Sequence, residues 1–199
     1  GGIPRKAAAA YTPGTSDQVL AAGQYLEGAQ TIKGDANLVA ANIRSGVSIF
    51  GVMGTLTYLD LLPTTLNLFV SNNLNPITQG FSVLQGNGVT SIGSVISCPS
   101  ADSGGISYYG TNAFIPAAKY NTLKISLKVL GGNPGDVYAG YAYSGVSFAA
   151  NSAVGGSTNT DRTLTFDISS VTSNIRVLIK NYVYPGRNQP IYVTSIVMY

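Results

Sequence analysis

At 199 residues the chain is long enough for one or two domains. Only 10 % of the residues are charged and the formal net charge is +3, too small and too scattered to mark a nucleic-acid-binding surface. Histidine is absent and Cys98 is the single cysteine, which excludes a Ser-His-Asp or Cys-His catalytic set, a histidine metal site and an intrachain disulfide.

Residues 1–11 read as an N-terminal arm. Gly1-Gly2 and Pro4 disfavour a helix, and the basic pair Arg5-Lys6 with four following alanines is too short for a signal core. No run reaches the roughly 18 apolar residues of a membrane helix, so no membrane insertion is expected.

From Thr12 to Leu56 glycines recur at 14, 23, 28, 34, 46, 51 and 54, a spacing no long helix survives. Thr12-Pro13-Gly14-Thr15 is a turn. Asp35 is placed to cap one helix running from Ala36 to about Arg44, with Gly46 as its stop. Ser48 to Leu56 reads as a strand that carries glycine where another backbone comes close. The stretch is apolar and too small to bury much core alone, so either the rest of the chain or further copies must cover it.

The boundary is expected near residue 60, and from about residue 66 the period changes to two. Strand-like runs are Asn67–Val70, Phe81–Leu84, Val89–Ile96, Ile106–Tyr109, Leu123–Leu130, Val137–Tyr143, Leu164–Ile168, Ile175–Val183 and Ile191–Tyr199, separated by turn-forming residues. Lys124 and Lys128 alternate with apolar residues, as on a solvated strand face. The expected fold class is mainly β: a small glycine-rich N-terminal β module with one short helix (12–60), then an antiparallel, jelly-roll-like β-sandwich (61–199).

The words YTPGTSDQ (11–18), AAGQYLEGAQTIKGDANLVAANI (21–43) and SGVSIFGVMGTL (45–56) closely resemble a module of minor structural and tail-fibre-type proteins of bacteriophages. The resemblance covers about a quarter of the chain and names no reaction. It implies a virion component that assembles as a homotrimer, contacts other virion proteins and meets a host-surface polysaccharide through its β-sandwich. A capsid-mounted fibre and a polysaccharide-degrading tail enzyme are the alternatives.

The residues point to binding rather than catalysis. Asp102, Asp136 and Asp161 sit in or beside turns, where aspartate is ordinary, and Asp167 lies in a strand beside Ser169-Ser170. None forms the carboxylate pair that glycoside hydrolysis requires, and no Asp-x-Asp spacing supports calcium. No cofactor and no metal is expected. Thirteen tyrosines are the better lead: they either fill the core, sandwich rims and subunit interfaces or stack their rings on the apolar faces of sugars. Tyr108-Tyr109 are adjacent, so one faces out of a strand. Tyr138 and Tyr182 share a face with few charges nearby, and Tyr141 and Tyr143 share the opposite parity from Tyr138. The loop Tyr184-Pro185-Gly186-Arg187-Asn188 offers an aromatic, a cation and an amide. The candidate ligand contacts are therefore Tyr108, Tyr109, Tyr184, Arg187 and Asn188. Cys98 before Pro99 reads as a small buried residue.

Overall fold

The computed structural model describes residues 7, 10–22, 25, 30–70, 72–86, 90–99, 105–131, 136–185 and 189–199. The chain divides into two compact units, Gly1–Leu61 and Leu62–Tyr199.

The first unit is built from short pieces. Strand β1 (Gln18–Leu20) pairs antiparallel with β2 (Gln30–Ile32). Below this pair the Asp17 carboxylate accepts from the Gly34 amide at 2.8 Å and from Lys33 at 3.0 Å. The Gly34 bond and then the lysine hold Asp17 below the ordinary carboxylate pKa.

The helix expected over residues 36–44 is not there. Asp35 accepts from the Asn37 amide at 2.8 Å, and the Asn42 side chain donates to the Asn37 carbonyl at 3.0 Å. These local bonds give the backbone an alternative to helix, and a nine-residue helix is marginal in any case. Only a single 3₁₀ turn, Ala40–Asn42, remains before Ile43 turns extended. The one α-helix among the described residues lies later: α1 (Tyr58–Leu61), where Asp60 accepts from the Thr57 amide at 2.7 Å.

The strand expected over 48–56 is instead a tight hairpin, β3 (Ser48–Ile49) and β4 (Val52–Met53). Phe50 and Gly51 at its tip both have positive φ, 48° and 83°, the sense of twist that two-residue hairpins favour. Gly54, just beyond, lies against the Ile43 and Arg44 carbonyls, where no Cβ fits. Here a backbone does come close to a glycine, as the sequence suggests.

The second unit is an antiparallel β-sandwich of jelly-roll-like character. One sheet holds β7 (Phe81–Gln85), β10 (Gly105–Thr111), β13 (Val137–Ala142), β14 (Ala150–Ala153) and β16 (Asn174–Val183), in the order β14-β13-β16-β10-β7, with β11 (Ile115–Pro116) beside β16. The other holds β5 (Leu66–Val70), β6 (Asn73–Leu74), β12 (Thr122–Val129), β15 (Asp161–Asp167) and β17 (Ile191–Met198), in the order β15-β12-β17-β5-β6. The run expected over 89–96 breaks into β8 (Ser91–Ile92) and β9 (Ile96–Cys98), because the chain reverses at 93–95, and β9 joins β17.

Strict alternation explains the packing. Leu123, Ile125, Leu127 and Val129 of β12 are buried, while the residues between them, Lys124 and Lys128 included, face outward. Ile175, Val177 and Ile179 of β16 in the other sheet join them in one core, together with Phe69, Ile96, Ile191, Val193 and Ile196 of their own sheet. Cys98 is buried, and burial pushes its thiol pKa up.

Candidate ligand-binding face

The functional reading centres on the outer face of the sheet β14-β13-β16-β10-β7. Register sets it. Lys180 in β16 stands directly opposite Tyr138 in β13 on one side and Tyr108 in β10 on the other. All three point away from the core, so two tyrosines flank one lysine across three adjacent strands. Neighbouring strands lie about 4.8 Å apart, which sets the tyrosine backbones roughly 10 Å from each other.

The next row shows how the surface is shaped. Leu178 is flanked by Gly110 and Gly140. A Cβ on Gly110 would lie 2.9 Å from a Leu84 methyl, and one on Gly140 would strike the Ala150 carbonyl. The glycines thus let β14 and Leu84 close over the sheet, and Leu178 is fully buried. The same approach brings the 143–149 connection onto the face. Phe148 packs on Tyr108 with ring centroids 6.4 Å apart and planes at 51°. Together Tyr108, Tyr138, Val146, Ser147, Phe148, Asn151 and Lys180 line an open cleft of about 410 Å³. The Lys180 ammonium lies 5.4 Å from the Tyr138 ring centroid, a cation–π contact.

One row along β16, Tyr182 stands opposite Ile106, and its ring meets Tyr184 edge to face at 4.9 Å and 85°. Ile106 and Tyr184 are exposed. The aromatic surface therefore continues from the cleft toward the β16–β17 loop. That loop is anchored beneath: Asn181 and Gln189 are buried, the Asn181 amide donates to the Gln189 carbonyl at 2.9 Å, and the Gln189 side chain donates back at 3.2 Å.

Among the candidate contacts read from the sequence, Tyr108 lies in the cleft and Tyr184 at the far end of the aromatic strip. Tyr109 is corrected: it points into the core, fully buried, and its hydroxyl donates to the Pro99 carbonyl, so no ligand reaches it. Alternation allows only one of two adjacent strand residues to face out, and that one is Tyr108. Arg187 and Asn188 lie outside the described residues, as does Asp102. Tyr138 and Tyr182 do share a face, but Lys180 stands between them, so the face is not poor in charge. Tyr141 is buried between the sheets, edge-on to Phe166 at 6.2 Å, and Tyr143 lies beyond the end of β13. Lys180, Phe148 and Asn151 were not singled out from sequence. The alternation of β16 marks Lys180 as outward, whereas nothing in residues 143–149 signals that this segment folds over the sheet.

Asp161 and Asp167 lie at the ends of β15 in the opposite sheet, and Asp167 accepts from the Ser169 amide at 2.9 Å. Bonds from the Ser169 side chain and amide hold its pKa below the ordinary value. No group of three or more metal-ligating side chains comes together among the described residues. Among the same residues, no helix is long and apolar enough to cross a membrane.

No protein-family model and no curated protein matches the chain. Among solved structures it is similar to a secreted serine protease, VesC from Vibrio cholerae, at 15 % identity and a TM-score of 0.39 over 55 % of this chain. The chain spans 22 % of that protease's length. It is also similar to CBM29_1, a family 29 carbohydrate-binding module from Piromyces equi, at 18 % identity and a TM-score of 0.40, over 67 % of this chain and 88 % of the module.

Proposed function

We propose that the chain is a component of a bacteriophage-type particle, an appendage protein whose β-sandwich binds a host-surface glycan and whose first unit joins copies of the chain. The observation that carries the glycan reading is the cleft flanked by Tyr108 and Tyr138. Concave sites with aromatic walls and a few polar groups suit small polar ligands with apolar faces, and sugars are of that kind. Asn151 and Lys180 supply the hydrogen-bond donors that would meet hydroxyls. The virion reading rests on the 11–56 words and on the exposed apolar residues of the first unit, such as Phe50 and Met53 at 60 % each.

Binding, with no bond cleaved, is the activity proposed, because the cleft's described lining carries no carboxylate. The mount, tail appendage or capsid surface, follows from the particle and not from the site.

The test is affinity electrophoresis of the full chain through gels containing host-cell polysaccharide. Retardation of the wild type is expected, together with a loss of roughly tenfold or more in affinity for Tyr108→Ala and for Tyr138→Ala. Equal retardation of both folded variants would remove this site. Release of reducing ends from the polysaccharide would replace binding with hydrolysis.

A further inference from the structure

The glycan site just described has a sign, and on that reading we infer that its ligand carries an acid group: a carboxylate- or sulfate-bearing saccharide seated at Lys180. The charge distribution supports this first. The strands of the sheet β14-β13-β16-β10-β7 contain Arg176 and Lys180 and not one aspartate or glutamate. The acids of the β-sandwich strands, Asp161 and Asp167, belong to the other sheet. Asp136 precedes β13 and makes no ion pair with Lys180 among the described residues.

The two cations of the face are not equivalent. Arg176 donates to the Asn112 carbonyl at 2.7 Å and lies 4.4 Å from the Phe114 ring centroid, so its guanidinium is committed to the fold. Lys180 has no such commitment. Its contact is the Tyr138 ring, and no carboxylate pairs with it among the described residues. An ammonium that meets only an aromatic face among the described residues keeps donors available to an incoming anion.

Geometry then places the anion. A pyranose stacked on Tyr138 or Tyr108 has its ring substituents at the edge of the tyrosine. The residue next to each tyrosine, across the ladder, is Lys180. A carboxylate or sulfate ester on that ring meets the ammonium in a charge-assisted hydrogen bond, while Asn151 at the rim of the cleft faces the hydroxyls. A neutral sugar stacks equally well and gains nothing from the charge.

The experiment uses the full chain and three soluble probes: oligogalacturonate, chondroitin sulfate oligosaccharides and neutral cello-oligosaccharides, with affinities measured by calorimetry. The wild type is expected to prefer at least one acidic probe over the neutral one by roughly tenfold, an advantage that shrinks as salt rises. Lys180→Gln should abolish the preference and Lys180→Arg should retain much of it. Tyr138→Ala should weaken acidic and neutral probes alike. Circular dichroism and thermal melting confirm that each variant is folded. The salt series needs no variant and stands as an independent arm. A wild type that binds neutral and acidic probes equally, with no salt dependence and no effect of Lys180→Gln, overturns the acidic ligand and leaves glycan binding intact. A wild type that binds none of the probes and no host polysaccharide removes both. Oligogalacturonate carries carboxylates alone and chondroitin sulfate carries both groups, so binding of chondroitin sulfate that is lost with desulfated chondroitin marks a sulfate ester, and binding of oligogalacturonate marks a carboxylate.

Discussion

Tyr108 and Tyr109 are consecutive, chemically identical and opposite in fate. Tyr108 stands on the outer face of β10, and Tyr109 is sealed in the core with its hydroxyl on the Pro99 carbonyl. Burial pushes the Tyr109 phenol from its ordinary value of 10 up to about 12. The unfolded chain therefore loses this proton more readily than the folded one. The resulting stability is complete below pH 10 and is lost as pH rises through about 12. Burial raises Cys98 and Tyr141 as well, so they add to the same alkaline slope. Tyr109→Phe should reduce that slope without abolishing it. It should also cost about 1 kcal/mol near neutrality through the lost hydrogen bond. Urea unfolding at neutral and at about pH 11 measures both, and an unchanged slope would mean that Tyr109 does not report on alkaline unfolding. The sequence says that one of the pair faces out. Which one depends on the phase of β10 against β16, and that is a tertiary fact.

At the scale of elements, the long strands were legible because their patterns are unambiguous. In β12 apolar residues recur at every second position, as they do in β16 at 175, 177, 179 and 183, with Asn181 the polar exception, and β12, β13, β16 and β17 fall within a residue or two of their expected bounds. The Ala36–Arg44 helix was misread because its sequence is rich in helix formers, yet Asp35, Asn37 and Asn42 bond their own backbone. Strand β14, Ala-Asn-Ser-Ala, has no alternation to read, and it is an edge strand. Its position over Gly140 nonetheless shapes the cleft. Gly140→Ala would drive a methyl into the Ala150 carbonyl and lift β14, with Asn151, from the face. We expect a loss of about 1–3 kcal/mol in thermal or urea unfolding and weaker glycan retardation, because the two effects share one cause. A variant as stable as wild type would show that β14 yields freely. The juxtaposition of Tyr138, Lys180 and Tyr108 was illegible for a related reason. They are separated by 30 and 42 positions in the chain, and only strand order brings them abreast.

Over the whole molecule, burial is divided unevenly. The second unit holds nearly all of the core, whereas among the described residues of the first unit only Ile43 and Gly54 are buried. Val19, Tyr25, Phe50, Met53, Tyr58 and Leu61 are all exposed there. Apolar residues at such density suit a partner surface, and on the proposed reading of the chain as a fibre-type protein that partner is two further copies of the chain. Light scattering should give three times the chain mass at micromolar concentration. The double change Phe50→Ser and Met53→Ser, at the exposed hairpin, should shift the mass toward the monomer. A stable wild-type monomer under those conditions would refute the trimer.

The position of β17 has a consequence in time. Of all the strands in the two sheets it is the latest in sequence, yet it lies in the middle of its sheet, between β12 and β5 and against β9. Until residues 191–198 have been synthesised, β12 and β5 face a gap. Their open edges and the apolar flank they share await a strand that the ribosome has yet to release. The domain therefore cannot acquire its native fold stepwise behind the growing chain. Its contacts are mostly long-range, which makes the closing step slow, and the nascent sandwich remains a pair of unclosed edges exposed to its neighbours on the same messenger. That interval is where misassembly of the domain would begin.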